Sequence, residues 1–309
     1  MEDNIDIKVR KPDTIGGSEI SIVMGLNRWK TPLRLWAEKT GKFVTEDIGD
    51  REYIQMGNEL EDFVAKRFTK LTGIKVRRDT KTFTHKTYPN MIAHIDRRVV
   101  GTDELLECKT CNAWKAHEWE GEEIPREYIL QVMWYLGVLE MSKGYIAVLI
   151  GGNHFVHKEI TFDQQLFDKM LESARHFVDF NIKQDEPPVA LSGDSDTLLR
   201  MYPDSRENII VKESRDEDEL IGDIQFIKSQ IIEFKADQEA KEALLKQKIG
   251  EAEGMDTPGF KVFWKNQAKS TLDYDRLKAD GLYEKYVIRG NTRVLRINRK
   301  KEDSNGNAK

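Results

Sequence analysis

The sequence predicts an α/β (α+β) fold in which a central mixed sheet is flanked by helices. Three observations lead there. Over residues 14–182, helical and strand-like runs follow the order α-α-α-β-β-β-α-β-β-α, which neither an all-helical nor an all-β domain would show. Helix ends carry the residues that satisfy loose backbone groups: Thr or Ser before, Pro at the first turn, Gly after. The chain has 309 residues, 39% of them hydrophobic, enough for one large domain or two ordinary ones with real cores.

The elements follow in order. Residues 14–41 read as two short helices. Ser18 can cap the first, which ends near Gly25; Thr31-Pro32 opens the second and Gly41 closes it. A longer helix covers residues 55–72, closed by Gly73. Strands follow over 75–83, 92–99 and 104–110, then a helix from Pro125 to about Glu140. Residues 145–150 are an apolar strand, 151–153 a turn and 154–161 the returning strand. A last helix spans 163–182, before Pro187-Pro188. The first domain is thus expected over 1–190 and a polar linker over 191–215. Over 216–255, Leu220, Ile224, Ile227, Ile231 and Phe234 repeat at heptad-like spacing, predicting an amphipathic or coiled-coil arm. A small basic module over 256–301 contains alternating FKVFW and RVLRI runs that suggest strands, and 302–309 reads as a disordered tail.

Net charge of -5 announces no global basic field for nucleic acid, although residues 258–301 hold 12 Lys/Arg against 4 Asp/Glu. The two cysteines, Cys108 and Cys111, give no disulfide framework, the start MEDNIDIKVRKPD is polar, and the longest apolar run is too short for a bilayer. These features predict a cytoplasmic protein without a membrane partner. CKTC can be read as a redox pair, as half of a zinc site with His94 or His117, or as core packing; mid-strand placement favours the last. Trp29, Trp36, Trp114, Trp119 and Trp134 are read as core side chains rather than base-stacking platforms.

DELLECKT, residues 103–110, raises the question of function. Glu107 and Lys109 share one face of an otherwise apolar strand. If Gly101-Thr102 turns a tight hairpin, paired residues sum to 203, and Asp96 in MIAHIDRRVV falls opposite Glu107. Two carboxylates so close need neutralising, which a divalent cation does well. Glu61, in GNELEDFVAKRF, shares a helical stripe with Val64, Ala65 and Phe68 and needs a partner, either a metal site or Lys109. Gln131, in YILQVMWYLG, also lies on a mostly apolar face. Asp96 and Glu107 can hold Mg2+ through oxygen, the Cys108 carbonyl can add a ligand, and Lys109 can orient water or meet charge on a phosphate. Taken singly, each group has a plainer role: a surface ion pair, a snorkelling acid, a cap.

The ordered set IGGSEISIVMGLNRWKTPLRLWAEKTG, GNELE, AHID, ECK and YILQVMWYLG, over residues 14–182, resembles the PD-(D/E)XK nuclease superfamily. Within it the set is similar to the YqaJ-type viral recombinase family, which is lambda exonuclease-like. Ile95 replaces the proline of the superfamily name. The resemblance implies a restriction-endonuclease-like core and a DNA exonuclease working 5′ to 3′ on double-stranded ends. The 3′ tails it leaves would pass to a RecT-type single-strand annealing protein, and a homotrimer is implied. It implies Mg2+, with Mn2+ as a substitute, at Asp96 and Glu107, with Glu61 joining directly or through water, Lys109 as catalytic lysine and Gln131 as a holder of water or strand. Ser18 would bind a DNA 5′-phosphate, and Lys11 or Arg10 would stand where the family has an arginine. The alternatives are an endonuclease of restriction or repair type and a non-catalytic DNA-binding scaffold. Lys75, Arg77, Arg78 and Lys81 read equally as a DNA-tracking row or a solvated strand face.

Overall fold

The computed structural model describes residues 12–43, 49–211, 215–290 and 292–298. The chain divides between Pro203 and Asp204 into two compact units.

In the first unit, α1 (Gly17–Val23) and α2 (Pro32–Lys39) precede α3 (Glu52–Thr72). Thr31 caps α2 by accepting the Arg34 N–H at 3.1 Å, and Gly73, at φ 77°, ends α3 in the left-handed region that its missing Cβ permits. The strands are β1 (Val76–Arg78), β2 (Phe83–Thr84), β3 (Ile92–Ala93), β4 (Arg97–Val99), β5 (Leu105–Cys111), β6 (Lys143–Ile150) and β7 (His154–Thr161). Five form a mixed sheet in the order β1-β4-β5-β6-β7, with β5 and β6 parallel and the other pairs antiparallel. β2 and β3 make a separate ribbon, so the expected single strand over 92–99 is broken in two.

Helices cover both sheet faces. Val64, Ala65 and Phe68 of α3 pack on Leu106, Cys108, Tyr145 and Ala147. The other face carries α4 (Arg126–Val138), with α1, α2 and α5 (Gln164–His176) around it; a π-helical turn, Phe177–Ile182, extends α5. Two glycines permit close helix packing. A Cβ on Gly17 would lie 2.3 Å from the Tyr135 ring, and one on Gly137 would lie 2.2 Å from Phe167. Between β5 and α4 runs a 3-10 segment, Ala113–Trp119.

The segment expected to be linker from residue 191 is folded against this unit as far as Pro203. Its helix α6 (Ser195–Met201) packs on α2. The buried Asp194 carboxylate accepts the Leu191 N–H at 2.8 Å and the Thr31 hydroxyl, so a chain that looks polar in sequence is held by its own acid.

In the second unit, α7 (Arg215–Ile249) runs as one helix and leaves Leu220, Ile227, Ile231 and Phe234 exposed. β8 (Gly254–Asp256) and β9 (Lys261–Phe263) pair as a hairpin, straddling the expected boundary at 255/256. α8 (Tyr274–Ala279) and α9 (Tyr283–Tyr286) follow. The RVLRI run forms no strand over the described residues 292–298. No helix among the described residues is long and apolar enough to cross a membrane.

Candidate active site

The register over the hairpin is the one the 203 rule requires: Arg97 pairs with Leu106 and Arg98 with Leu105. Gly101 takes φ 89°, as a positive-φ turn position demands. Continued by one residue, the register sets Asp96 against Glu107. The ladder, however, stops at Arg97. In its place the Asp96 Oδ2 accepts the backbone N–H of Cys108 at 2.7 Å. N–H and C=O of one strand residue point to the same lateral side, so the Cys108 carbonyl also faces Asp96.

Glu107 is 2% exposed, on the sheet face that α4 covers. Its Oε1 accepts from Lys109 Nζ at 2.5 Å and from Gln131 Nε2 at 2.8 Å. Its Oε2 is buried and without a partner. Burial first, then the neighbouring Asp96 carboxylate, push the Glu107 carboxyl up to about 8 despite the opposing pull of Lys109. Lys109 is half-buried, which opposes its charge, yet Glu107 and Asp96 hold its ammonium above the ordinary value. Its Nζ also sits 5.2 Å from the centre of the Tyr128 ring. Gln131 donates as well to the Tyr135 hydroxyl at 2.8 Å. Gln131 therefore anchors Glu107, and Tyr135, packed against Gly17, anchors Gln131.

A hard divalent cation fits this donor set. The orphaned Oε2, the abutting carboxylates and the inward carbonyl of Cys108 are oxygens, and Mg2+ commonly takes one or two carboxylates and keeps water on its remaining positions. Among the described residues no group of three His, Cys, Asp or Glu could hold a metal, so the protein side chains supply two acids rather than three.

Glu61 is linked to this pair through Arg97, whose Nη1 donates both to the Glu61 carboxylate and, at 2.7 Å, to the Asp96 carbonyl. α3 covers the opposite sheet face, where Glu61 and Asp62 both engage the Arg97 guanidinium. The sequence reading sought the partner of Glu61 in a metal or in Lys109. It missed the arginine that follows Asp96, although the same register points Arg97 to the α3 face. Ser18 is exposed at the second helical position of α1; Gly16, not Ser18, is the N-cap, and the Glu19 carboxylate accepts its N–H at 3.0 Å. Beside Ser18 lie Lys30 and Lys39, paired with Glu38 at 2.6 Å and Glu19 at 2.9 Å. Lys11 and Arg10 lie outside the described residues.

Both cysteines are free, and Cys108 packs against α3. Burial, with Asp96 and Glu107 nearby, drives its thiol far above the ordinary value, so it is no redox thiolate. The core reading of the tryptophans holds for Trp36, Trp119 and Trp134 and fails for two: Trp29 is 54% and Trp114 70% exposed.

A helix-flanked mixed sheet has Glu107 and Lys109 on its central strand and Asp96 just before the neighbouring strand, and comparison with known proteins gives the family. The model of the YqaJ-like viral recombinase domain matches residues 7–142. The chain is 39% identical over 279 residues to the uncharacterized protein YqaJ of Bacillus subtilis (strain 168), an overlap of 88% of this chain and 86% of that one. It belongs to the YqaJ-like viral recombinase family. Among solved structures it is similar to an alkaline exonuclease from Laribacter hongkongensis, with TM-score 0.47 and 18% identity over 57% of this chain and 93% of that one. It is also similar to a phage related exonuclease from Haemophilus somnus 129PT, with TM-score 0.44 and 15% identity over 56% and 96%.

Proposed function

We propose that this protein is a Mg2+-dependent DNA exonuclease that degrades double-stranded ends 5′ to 3′ and leaves 3′ tails for single-strand annealing recombination. The observation that carries the reading is the Asp96–Glu107 pair, with its unpartnered buried oxygen and Lys109 on the same strand. Membership of a viral recombinase family supports the DNA substrate. The 5′-to-3′ polarity and the handover to a RecT-type annealing partner rest on family resemblance.

Asp96 and Glu107 would hold the cation, with the Cys108 carbonyl beside them; Mn2+ offers the same hard-oxygen chemistry. Bound there, it would supply Lewis acidity toward a phosphate and a water that ionises near neutral pH. The chain's own residues do the rest. Gln131 fixes the Glu107 carboxylate through Oε1, leaving Oε2 available. Lys109 keeps its proton between two acids and a tyrosine ring, so it serves as a positive donor to a phosphate oxygen or an attacking water rather than as a base. Arg97 locks Asp96 from behind through its carbonyl. Ser18, with Lys11 or Arg10, is assigned the terminal 5′-phosphate. Oligomeric assembly as a trimer belongs to the same reading.

The test is digestion of 5′-phosphorylated linear duplex and of closed circular duplex, with Mg2+ or with EDTA, by wild type and Lys109→Ala. Linear DNA should be degraded from its 5′ ends in Mg2+ only, and circles should survive. Lys109→Ala should lose at least about a hundredfold in rate, within the range attributed to one acid–base or electrostatic group, while retaining DNA binding. Circles cut as fast as linear DNA would make the protein an endonuclease, and an unchanged Lys109→Ala rate would remove the lysine from the mechanism.

A further inference from the structure

Trp29 and Trp114 are large apolar side chains left in solvent although each could bury some 150–250 Å² in a core. They come from distant stretches of chain: Trp29 from the turn between α1 and α2, Trp114 from the 3-10 segment after β5. Lys115 joins them, its Nζ 5.1 Å from the ring centres of both. The Arg28 guanidinium lies 5.1 Å from the Trp29 ring on its own account.

This surface is held rigidly. The Asn27 side chain accepts the N–H groups of Trp29 and Lys30 at 2.9 and 3.0 Å. Arg28 clamps the two stretches together, gripping Glu118 at 2.5 and 3.2 Å and meeting Glu127 of α4 at 2.7 Å. From below, Lys158 of β7 donates to the carbonyls of Trp119, at 2.9 Å, and Glu123.

The surface also adjoins the candidate active site. Glu127, which meets Arg28, precedes Tyr128, whose ring carries the Lys109 ammonium on one contact and stacks with Trp119 on another, centres 5.7 Å apart. Indole faces suit bases, and a cation between them suits a phosphate. That combination is the usual means of holding single-stranded nucleic acid without reading its sequence.

Resting on the nuclease reading above, we propose that Trp29, Trp114 and Lys115 form a stacking platform for unpaired nucleotides of single-stranded DNA beside the cleavage site. Bases stack on the indoles and Lys115 meets the backbone. The platform gives the enzyme a hold on a frayed end and favours DNA with unpaired nucleotides over fully paired duplex.

Fluorescence anisotropy of a labelled oligo-dT, in EDTA so that nothing is cut, tests this. Trp29→Ala/Trp114→Ala should bind roughly five- to 150-fold more weakly than wild type, the loss expected for one or more stacked bases. Trp29→Phe/Trp114→Phe should recover most of that affinity. Lys115→Gln should flatten the slope of log affinity against log salt by about 0.7, one phosphate contact on a single strand. The single variant Trp114→Ala, at the more exposed site, carries the test if the double variant does not fold. Alanine variants that bind within about twofold of wild type, or phenylalanine variants no better than alanine, overturn the platform and leave the surface to a protein partner. Digestion of linear duplex by wild type in Mg2+ runs alongside. Active wild type with binding indifferent to the tryptophans removes the platform alone, whereas wild type that neither binds nor cuts removes the nuclease reading itself.

Discussion

Replacing Glu107 with glutamine keeps the size of the side chain and removes the charge that the fold holds most reluctantly. The carboxyl is raised from 4.5 to about 8, by burial first and by Asp96 second. Between those values the metal-free folded protein keeps a proton that the unfolded chain has released, so stability falls as pH rises through the window. At 1.36 kcal/mol per pH unit, the penalty is about 5 kcal/mol near pH 8.5 and about 1 kcal/mol near pH 5. Glutamine does not titrate and escapes it. The Oε1 that accepts from Lys109 and Gln131 has a counterpart in the amide, but Lys109 loses a charged partner, which offsets part of the gain. Urea denaturation in EDTA should therefore find Glu107→Gln more stable than wild type by about 2–4 kcal/mol near pH 8.5, and nearly equal to it near pH 5. Mg2+ should raise the wild-type midpoint and leave that of the variant in place. A difference of the same size at both pH values, or a variant less stable at the higher one, would refute the argument that Glu107 is a desolvated acid awaiting a cation.

Two further substitutions probe the support of the site. Arg97→Met leaves Glu61 and Asp62 without their shared guanidinium and frees the Asp96 carbonyl. Because both acids retain some solvent, the cost should be about 1–3 kcal/mol rather than that of a fully buried pair, with Mg2+-induced stabilisation reduced as well; unchanged values for both would show that Arg97 is idle. Gly17→Ala drives a methyl to within 2.3 Å of the Tyr135 ring. It should lower stability by about 1–3 kcal/mol, and a thermal midpoint equal to wild type would mean that α1 and α4 are not packed so closely.

The parts of the site that could be read from sequence were those fixed by strand geometry. A pairing sum of 203 gave the Arg97–Leu106 and Arg98–Leu105 pairs, and a side-chain period of two put Glu107 and Lys109 on one face; that Asp96 leaves the ladder to take the Cys108 amide was not legible. Gln131 was placed by helical period, although the group it touches, Glu107, becomes evident only when α4 lies on β5. Glu61 shows where this reasoning ends. Helical period places it inward beside Val64 and Phe68, but cannot say which sheet face its helix will cover, and that choice delivers it to Arg97. Ser18 was read as a cap because serine favours that position, yet a glycine cap helped by Glu19 moves the helix start two residues earlier. Residues 191–203 looked like linker because their composition is polar. A buried aspartate bonded to Thr31, with Met201 against the core, holds them, and no local pattern announces contacts across so many residues. Trp29 and Trp114 reversed the usual tendency of tryptophan to be buried.

The early end of β4 has a consequence for the edge it uncovers. From Cys108 to Cys111, β5 is flanked by β6 on one side and by no described strand on the other. A vacant ladder invites foreign polypeptides to zip onto it, the first step of many fibrils. Here the first rung is already taken, because the Asp96 carboxylate sits on the Cys108 amide, and the Lys109 ammonium stands beside the rungs beyond. An intruding strand must evict the very acid on which hydrolysis is proposed to depend, so the side chain assigned to chemistry also stands guard against misassembly.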